Sequence, residues 1–425
     1  MHLISWNVAS WSTTLPQVKT RYGSVAKFFT LHQADIICLQ EVKISRETLS
    51  RSPKGEYDDG TCEFESYWAC SHEKKGYSGC TTFARKGTIV RATANIFQDA
   101  ELDGEGRCMV TSHTEGFVVF NVYVPFSGED GSRHAFKMKF LHALQSAMNR
   151  VRTEWALPCI LAGDLNLIHR PCDLHWSYRC YLPELDLQGY PSDFAAYMAR
   201  YQGDLEKAAK APHRFGIDVL LLKDFAEKKG RMPTCKEEAA AWLEGILQSK
   251  MIDTFRLCRG EECPERYTCW DQYRNQRYEN VGTRIDYILV DKELQGIVQA
   301  GPELVGGPTA EGALMACTAW RKWQPAPKDK DGSGLPDASL EVYNMQFVSP
   351  HTGMIYMPPR YSDHIAVSVL LSPCPCPVLI TRSSTLDAET VACSVTGGLK
   401  RQKSLMSFFA KKKRDREDVS CEVIE

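Results

Sequence analysis

Residues 159–166 read Cys-Ile-Leu-Ala-Gly-Asp-Leu-Asn. An apolar run enters a glycine, and the chain then presents a carboxylate, Asp164, and two residues on an amide, Asn166. A short apolar run closed by a turn former is the pattern of a core strand, so Cys159 to Leu165 is predicted as one. The same arrangement recurs towards the N-terminus. His2 to Val8 reads as a buried strand with Asn7 near its end, and Asp35 to Glu41 as a strand that ends in a carboxylate. Further strands are predicted at Gly79 to Ala84, Cys108 to Ser112, Phe117 to Val124, Ile285 to Val290 and His364 to Leu371.

Helical spacing separates some of these runs. Gln17 to His32 places Val25, Phe28 and Phe29 at helical intervals, and Arg133 to Arg152 puts Phe136, Phe140, Leu144, Met148 and Val151 on one face. Strands interleaved with helices give the α/β class. Several strands lie too close together for helical crossovers, so a mixed sheet with hairpins is expected.

The chain has 425 residues, 43% of them hydrophobic, which is enough for a substantial core. A formal net charge of −2 argues against a non-specific nucleic-acid coater, though not against an enzyme that gathers basic groups around one channel. The 17 cysteines are scattered, and several sit inside strand-like runs, such as Cys38 and Cys159. They lack zinc-finger spacing and read as buried free thiols of a reducing compartment. No apolar run approaches the ~18 residues of a membrane span. A soluble intracellular protein is expected.

Domain 1–372 is expected to be one catalytic unit carrying two insertions, at about 173–250 and 301–353. The first is rich in tyrosine and helix formers; the second contains QPAPKDKDGSGLPD and few apolar runs. Residues 373–425 read as a disordered tail.

Polar residues fall at the ends of otherwise apolar strands: Asn7, Glu41, Tyr123, Asp164, Asn166, Asp286 and the Asp363-His364 pair. One aspartate at a strand end is usually a turn former or helix cap. Carboxylates, amides, a phenol and an imidazole at several strand ends are harder to explain that way. If the ends converge, they build one acidic, hydrogen-bonding pocket.

In order along the chain stand SWNV (5–8), LQEVK (39–43), GYSG (76–79), EGR (105–107), YVP (123–125), GDLN (163–166), NVGTRIDY (280–287) and SDH (362–364). This ordered set resembles the exonuclease III/AP endonuclease family of the endonuclease/exonuclease/phosphatase superfamily. The resemblance implies a DNase I-like two-sheet β-sandwich flanked by helices, with the site at one edge. It implies Mg2+, with Mn2+ as a substitute, held by Glu41, Asp363 and Asn7. Asp164 would activate water, Asn166 would position it, and His364, oriented by Asp286, would donate to the phosphate. Tyr123 would support a phosphate oxygen or the leaving group. Arg107, Trp270 and Arg284 would contact DNA, and the aromatic stretches Tyr178 to Tyr201 and Tyr267 to Tyr278 would either grip DNA or simply pack.

The departures are informative. Ala9 stands where the usual endonucleases of the family place an aspartate, Phe126 follows YVP in place of an asparagine, and Cys269 and Thr283 replace aromatics. The small residue before Arg284 is similar to the AP endonuclease 2 branch, which implies stronger 3′–5′ exonuclease and 3′-end-cleaning activity than abasic-site incision.

Gln402-Lys403-Ser404-Leu405-Met406-Ser407-Phe408-Phe409 matches the pattern of a sliding-clamp (PCNA) peptide, with Gln402, Leu405, Phe408 and Phe409 as its contacts. One helical turn would bring Leu405 and the phenylalanines onto one apolar face. Eight basic residues between Lys400 and Arg416 suit nuclear import or DNA contact. A nuclear enzyme is expected, with the mitochondrion as the alternative. Two rival readings keep the fold: a phosphatase of inositol phosphates or phospholipids, and a clamp-bound scaffold whose site has decayed.

Overall fold

Each apolar run read as a strand forms one, because two stacked sheets bury both faces of their central strands. The computed structural model describes residues 1–51, 63–128, 131–175, 234–260, 266–274, 276–301, 350–355 and 357–373. The first sheet is built from β1 (His2–Asn7), β2 (Ile36–Gln40), β3 (Phe64–Ala69) and β4 (Cys80–Arg85). The second holds β5 (Ile89–Thr93), β6 (Cys108–His113), β7 (Val118–Tyr123), β8 (Cys159–Asp164) and β9 (Met251–Asp253). A separate two-stranded ribbon joins β10 (Cys269–Trp270) to β11 (Gly282–Thr283). Next, β12 (Asp286–Asp291) enters the second sheet, and β13 (Val298–Gln299), β14 (Gly353–Ile355) and β15 (Ala366–Leu371) complete the first.

The order is β13-β15-β1-β2-β4-β3 in the first sheet, with β14 beside β15, and β5-β6-β7-β8-β12-β9 in the second. Only β1–β2 and β7–β8 pair in parallel among the described strands, as a mixed sheet with hairpins requires. Helices cover the sheets: α1 (Trp11–Tyr22), α2 (Val25–Leu31), α3 (Arg46–Arg51), α4 (Ala100–Gly104), α5 (His134–Glu154), α6 (Thr234–Ser249) and α7 (Thr254–Arg259). The single helical stretch expected over Gln17 to His32 is two helices. Gly23 breaks it with φ +83°, and the Ser24 hydroxyl caps α2 by accepting from Lys27 N at 3.1 Å.

The side-chain alternation of the second sheet divides two cores. Met109, Val119, Ile160, Ala162, Ile288 and Val290 point into the core shared with the first sheet. Their neighbours Cys108, Val118, Leu161, Tyr287 and Leu289 point outward, beneath Phe140 and Leu144 of α5 and Leu243 of α6. Each large apolar side chain buried this way contributes about 1.5–3 kcal/mol. Helix α6 lies within the first expected insertion, yet its Ala239, Trp242, Leu243 and Ile246 belong to this core, so the chain rejoins the domain by Thr234. Residues 176–233 and 302–349 of the two expected insertions, the Tyr178 to Tyr201 stretch and the tail from residue 374 lie outside the described residues.

A polar seam crosses between the sheets. Gln40 Nε2 donates to Asn121 Oδ1 at 2.8 Å and Ser5 Oγ at 3.1 Å, and Asn121 Nδ2 donates to Thr81 O at 2.8 Å. Buried amides that lose a partner cost about 1–3 kcal/mol, so the seam fixes the relative register of the sheets. It lies one residue before Glu41 and two before Tyr123, and so aligns the strand ends that carry both.

Candidate active site

Strand pairing, more than side-chain choice, brings the site together. Asp164 at the end of β8 stands opposite Tyr123 of β7 on one side and Asp286 of β12 on the other. Gly163 permits this approach, since a Cβ there would meet Val122 O at 1.9 Å. From the first sheet, Asn7 Nδ2 donates to Glu41 Oε1 at 3.0 Å and to Asp164 Oδ2 at 2.9 Å, joining the two sheets across the pocket. His364 arrives just before β15, with Nδ1 2.8 Å from Asp286 Oδ2 and Nε2 3.9 Å from Asp164 Oδ2. Asn166 N donates to Asp164 Oδ1 at 2.8 Å, and its own amide donates to Val124 O at 2.9 Å. Asn7, Glu41, Tyr123, Asp164, Asn166, Asp286 and His364 thus share one pocket.

The backbone around this pocket is strained. Of nine non-glycine residues with positive φ among those described, Ala9, Glu41, Lys43, Ser78 and Asn166 lie in its loops. Such conformations each cost on the order of 1–3 kcal/mol and persist only where the surroundings hold them. Here they turn strand-end side chains inward.

Electrostatically the site carries excess negative charge. Burial, and then the neighbouring Asp286, push the Asp164 carboxyl up from its usual range. Burial alone would strip the proton from His364, but the Asp286 carboxylate overrides it and the net shift is well upward. Burial also opposes the charge on Glu41, yet the Lys43 ammonium 3.0 Å away and the Asn7 amide win, and its pKa is lowered. Tyr123 is held strongly protonated by burial and by Glu41 and Asp164. Asp286 Oδ1 is buried with no hydrogen-bond partner.

These donors fit a hard divalent cation. Glu41 is ionised, its partners are a lysine and an amide N–H, and further carboxylates stand close by. Carboxylate oxygens in excess over cationic groups suit Mg2+ or Mn2+. Asn7, expected to lend its oxygen to the metal, instead presents Nδ2 to the carboxylates while Oδ1 accepts from Ala9 N at 2.9 Å. It spaces Glu41 from Asp164. Asp363 is half-buried and places its carboxylate beside His364 and Cys269.

The three residues read as DNA contacts are not at the surface. Arg107, Trp270 and Arg284 are 2%, 1% and 2% exposed. Arg107 lies between the rings of Tyr77 and Tyr123, at 5.3 and 4.6 Å, and pairs with Glu105. It buttresses Tyr123. Trp270 Nε1 donates to Asn280 Oδ1 at 3.1 Å, and Arg277 stacks on its ring at 5.0 Å. Arg284 binds Asp253 through two contacts of 2.8 and 2.7 Å. In each case a buried carboxylate, amide or aromatic ring claims the group before solvent can. Of the aromatic stretch from Tyr267, Tyr267 is buried and Tyr273 is 97% exposed.

Sequence reading missed Lys43, Tyr77, Gln40 and Asn121. For the last two a signal existed: an amide within an otherwise apolar strand. Tyr77 lay within GYSG and Lys43 within LQEVK, but nothing local says that Tyr77 Oη accepts from Arg107 and Arg133 at 2.7 Å each.

The free thiols expected from the sequence are present: Cys38, Cys80, Cys108, Cys159, Cys172 and Cys269 are buried and unpaired to other cysteines among the described residues. No helix among those residues is long and apolar enough to cross a membrane.

Known proteins resemble this chain in sequence and in fold. DNA-(apurinic or apyrimidinic site) endonuclease 2 of Xenopus laevis is 28% identical over 326 residues, 69% of this chain and 54% of the relative. The chain therefore spans about half the length of that protein. An exodeoxyribonuclease of Bacillus subtilis is 32% identical over 295 residues, covering 69% of this chain and 90% of the relative. The crystal structure of the Xenopus laevis APE2 catalytic domain superposes with a TM-score of 0.50 at 22% identity, covering 87% of this chain and 91% of that one, a likeness of fold. A model of the Endonuclease/Exonuclease/phosphatase family matches residues 4–364, from the first strand to the pocket histidine, and the chain belongs to that family.

Proposed function

We propose that the chain is a Mg2+-dependent DNA-repair phosphodiesterase of the AP endonuclease 2 type, which cleaves at abasic sites and processes 3′ ends. The observation that carries this reading is a buried carboxylate with a raised pKa, Asp164, set against a protonated His364 held by Asp286. A carboxylate with raised proton affinity and an imidazolium that can donate to phosphate thereby stand 3.9 Å apart.

Asp164 accepts a proton from the attacking water, and Asn166, fixed by Asp164 and Val124 O, orients it. His364 donates to a non-bridging phosphate oxygen as charge develops there. Tyr123, held protonated, donates to a second oxygen or to the leaving group. Glu41 and Asp363 would hold the metal, with Asn7 keeping Glu41 in place. Mg2+, or Mn2+ in its place, would supply Lewis-acid stabilisation of the phosphodiester when bound. DNA is engaged by exposed groups at the rim, and Arg107, Trp270 and Arg284 act behind them as supports.

The peptide 402–409 would recruit the enzyme to the sliding clamp in the nucleus, and it lies outside the described residues. Matched duplexes bearing an abasic site or a blocked 3′ end, with Mg2+ or Mn2+, and a soluble inositol phosphate test the reading together. The expected result is cleavage of DNA alone. Phosphate release from the inositol compound with both duplexes intact overturns it. Changing Phe408 and Phe409 to alanine is expected to abolish clamp binding while sparing short oligonucleotide hydrolysis; retained clamp affinity rejects the docking peptide.

A further inference from the structure

Cys269 has no part in that reaction, yet the backbone fixes it beside the pocket histidine. Trp270 N donates to Asp363 O at 3.1 Å, Ile365 N donates to Thr268 O at 2.9 Å, and between them Cys269 and His364 form an antiparallel bridge. On its other side Cys269 pairs with Thr283 of β11. Residues opposite each other on such a bridge project to the same face, which sets the thiol and the imidazole side by side. The Cys269 thiol, the Asp363 carboxylate and the His364 imidazole each place a ligand atom within 4.8 Å of the others. Cys269 and His364 are buried and Asp363 is half-buried, which leaves one ligand at the solvent edge.

A small thiol can also serve as packing, and Cys269 does touch the cluster of Ile168, Leu174 and Ile285. Packing alone does not call for a carboxylate and an imidazole on the opposite side. We propose that Cys269, Asp363 and His364 form a binding site for a thiophilic divalent cation, Zn2+, whose occupancy halts phosphodiester hydrolysis by taking the imidazole from its phosphate. Zinc accepts sulfur, nitrogen and carboxylate oxygen at about 2.0–2.3 Å, so its ligands sit roughly 3.5 Å apart. The half-buried Asp363 side chain closes the remaining gap by turning from the Mg2+ position it would share with Glu41, so the two ions compete for this carboxylate. Mg2+ takes hard oxygen ligands and leaves sulfur alone, so the site separates the two ions by ligand softness. Binding releases two protons to solvent, one from the thiol and one from the His364 imidazolium, whose ring must be neutral to coordinate. Burial pushes the free thiol up to about 12, and coordination to a cation removes its proton nonetheless.

The inhibitory part rests on the function proposed above; the binding part does not. Cd2+ serves as the probe, through its thiolate-to-metal charge-transfer absorbance, on the full-length protein in excess Mg2+. Cys269→Ala is compared with the wild type, and Cys269→Ser serves in its place if the alanine variant does not fold, as judged by circular dichroism. The expected result is a wild-type absorbance that the variant lacks. Zn2+ should also slow DNA cleavage by the wild type at a concentration at least about tenfold below that needed for the variant. Identical spectra would assign binding to another of the 17 cysteines and overturn the site. Equal zinc sensitivity, or a wild type that zinc does not inhibit, would overturn its effect on catalysis. A protein inert on every DNA substrate would count against the proposed function alone, because the absorbance still decides whether the site exists.

Discussion

Two clusters of buried charge lie two residues apart along one segment and differ in how their charges balance. Arg284 belongs to the first, with Asp173, Asp253 and Arg256: two acids and two bases, each within 2.8 Å of an opposite charge. Arg284 also lies over the rings of Phe255 and Tyr287 at 4.8 and 4.4 Å. Asp286 belongs to the second, where, among the described residues, Lys43 pairs with Glu41 and His364 lies beside Asp164, Asp286 and Asp363. The pKa directions report the difference. Burial opposes the charge on Asp173, but Arg284 and Arg256 bring its pKa below the ordinary value, whereas burial and Asp286 raise that of Asp164. A balanced cluster holds the fold. One left short of positive charge has carboxylate oxygens to offer a cation.

Two buried histidines show the same effect in miniature. His113 has Thr111 and the Phe117 ring as neighbours, and burial pushes its pKa down to about 3. His364 is as deeply buried, yet Asp286 raises its pKa. Position relative to a carboxylate, more than depth, decides the charge of an imidazole.

The contrast predicts opposite responses to neutralisation. Asp164→Asn should lower kcat by about 10²–10⁴-fold, the usual contribution of a positioned base, while the melting temperature holds or rises as repulsion with Asp286 is relieved. A lower melting temperature with unchanged kcat would reverse the roles assigned to the two clusters. Arg284→Ala should destabilise the protein by about 3–5 kcal/mol in urea unfolding, because Asp253 and Asp173 stay buried with too few partners. Its folded fraction should keep near-normal turnover, and a loss under about 1 kcal/mol would remove the distinction. Smallest is Ala9→Asp, at a residue with φ +53°, a conformation that aspartate tolerates. A further carboxylate in the acid-rich cluster should lower the Mg2+ concentration for half-maximal rate by roughly 3–10-fold and reduce stability without metal. Unchanged metal dependence would show that residue 9 does not face the ion.

The strands were legible because two-faced burial demands continuous apolar runs, and the site residues because they interrupt those runs at their ends. The inner supports were less legible. Gln40 and Asn121 sit mid-strand and bond across sheets, 81 residues apart, so no local pattern pairs them. Helix formers in the segment that holds α6 pointed to a helical insertion, and only the fold showed that α6 packs into the core.

From its amino-acid order alone the chain set its strand positions, its α/β class and the chemical identity of the pocket, since each depends on local hydrophobicity and residue type. Tertiary structure alone decided which charged groups face solvent. Arg284 was available as a DNA contact until folding brought Asp173 from 111 residues away and Asp253 from 31, and a buried cation binds the carboxylates that desolvation offers it. Asn7 likewise became a spacer because two carboxylates from separate sheets closed on its amide.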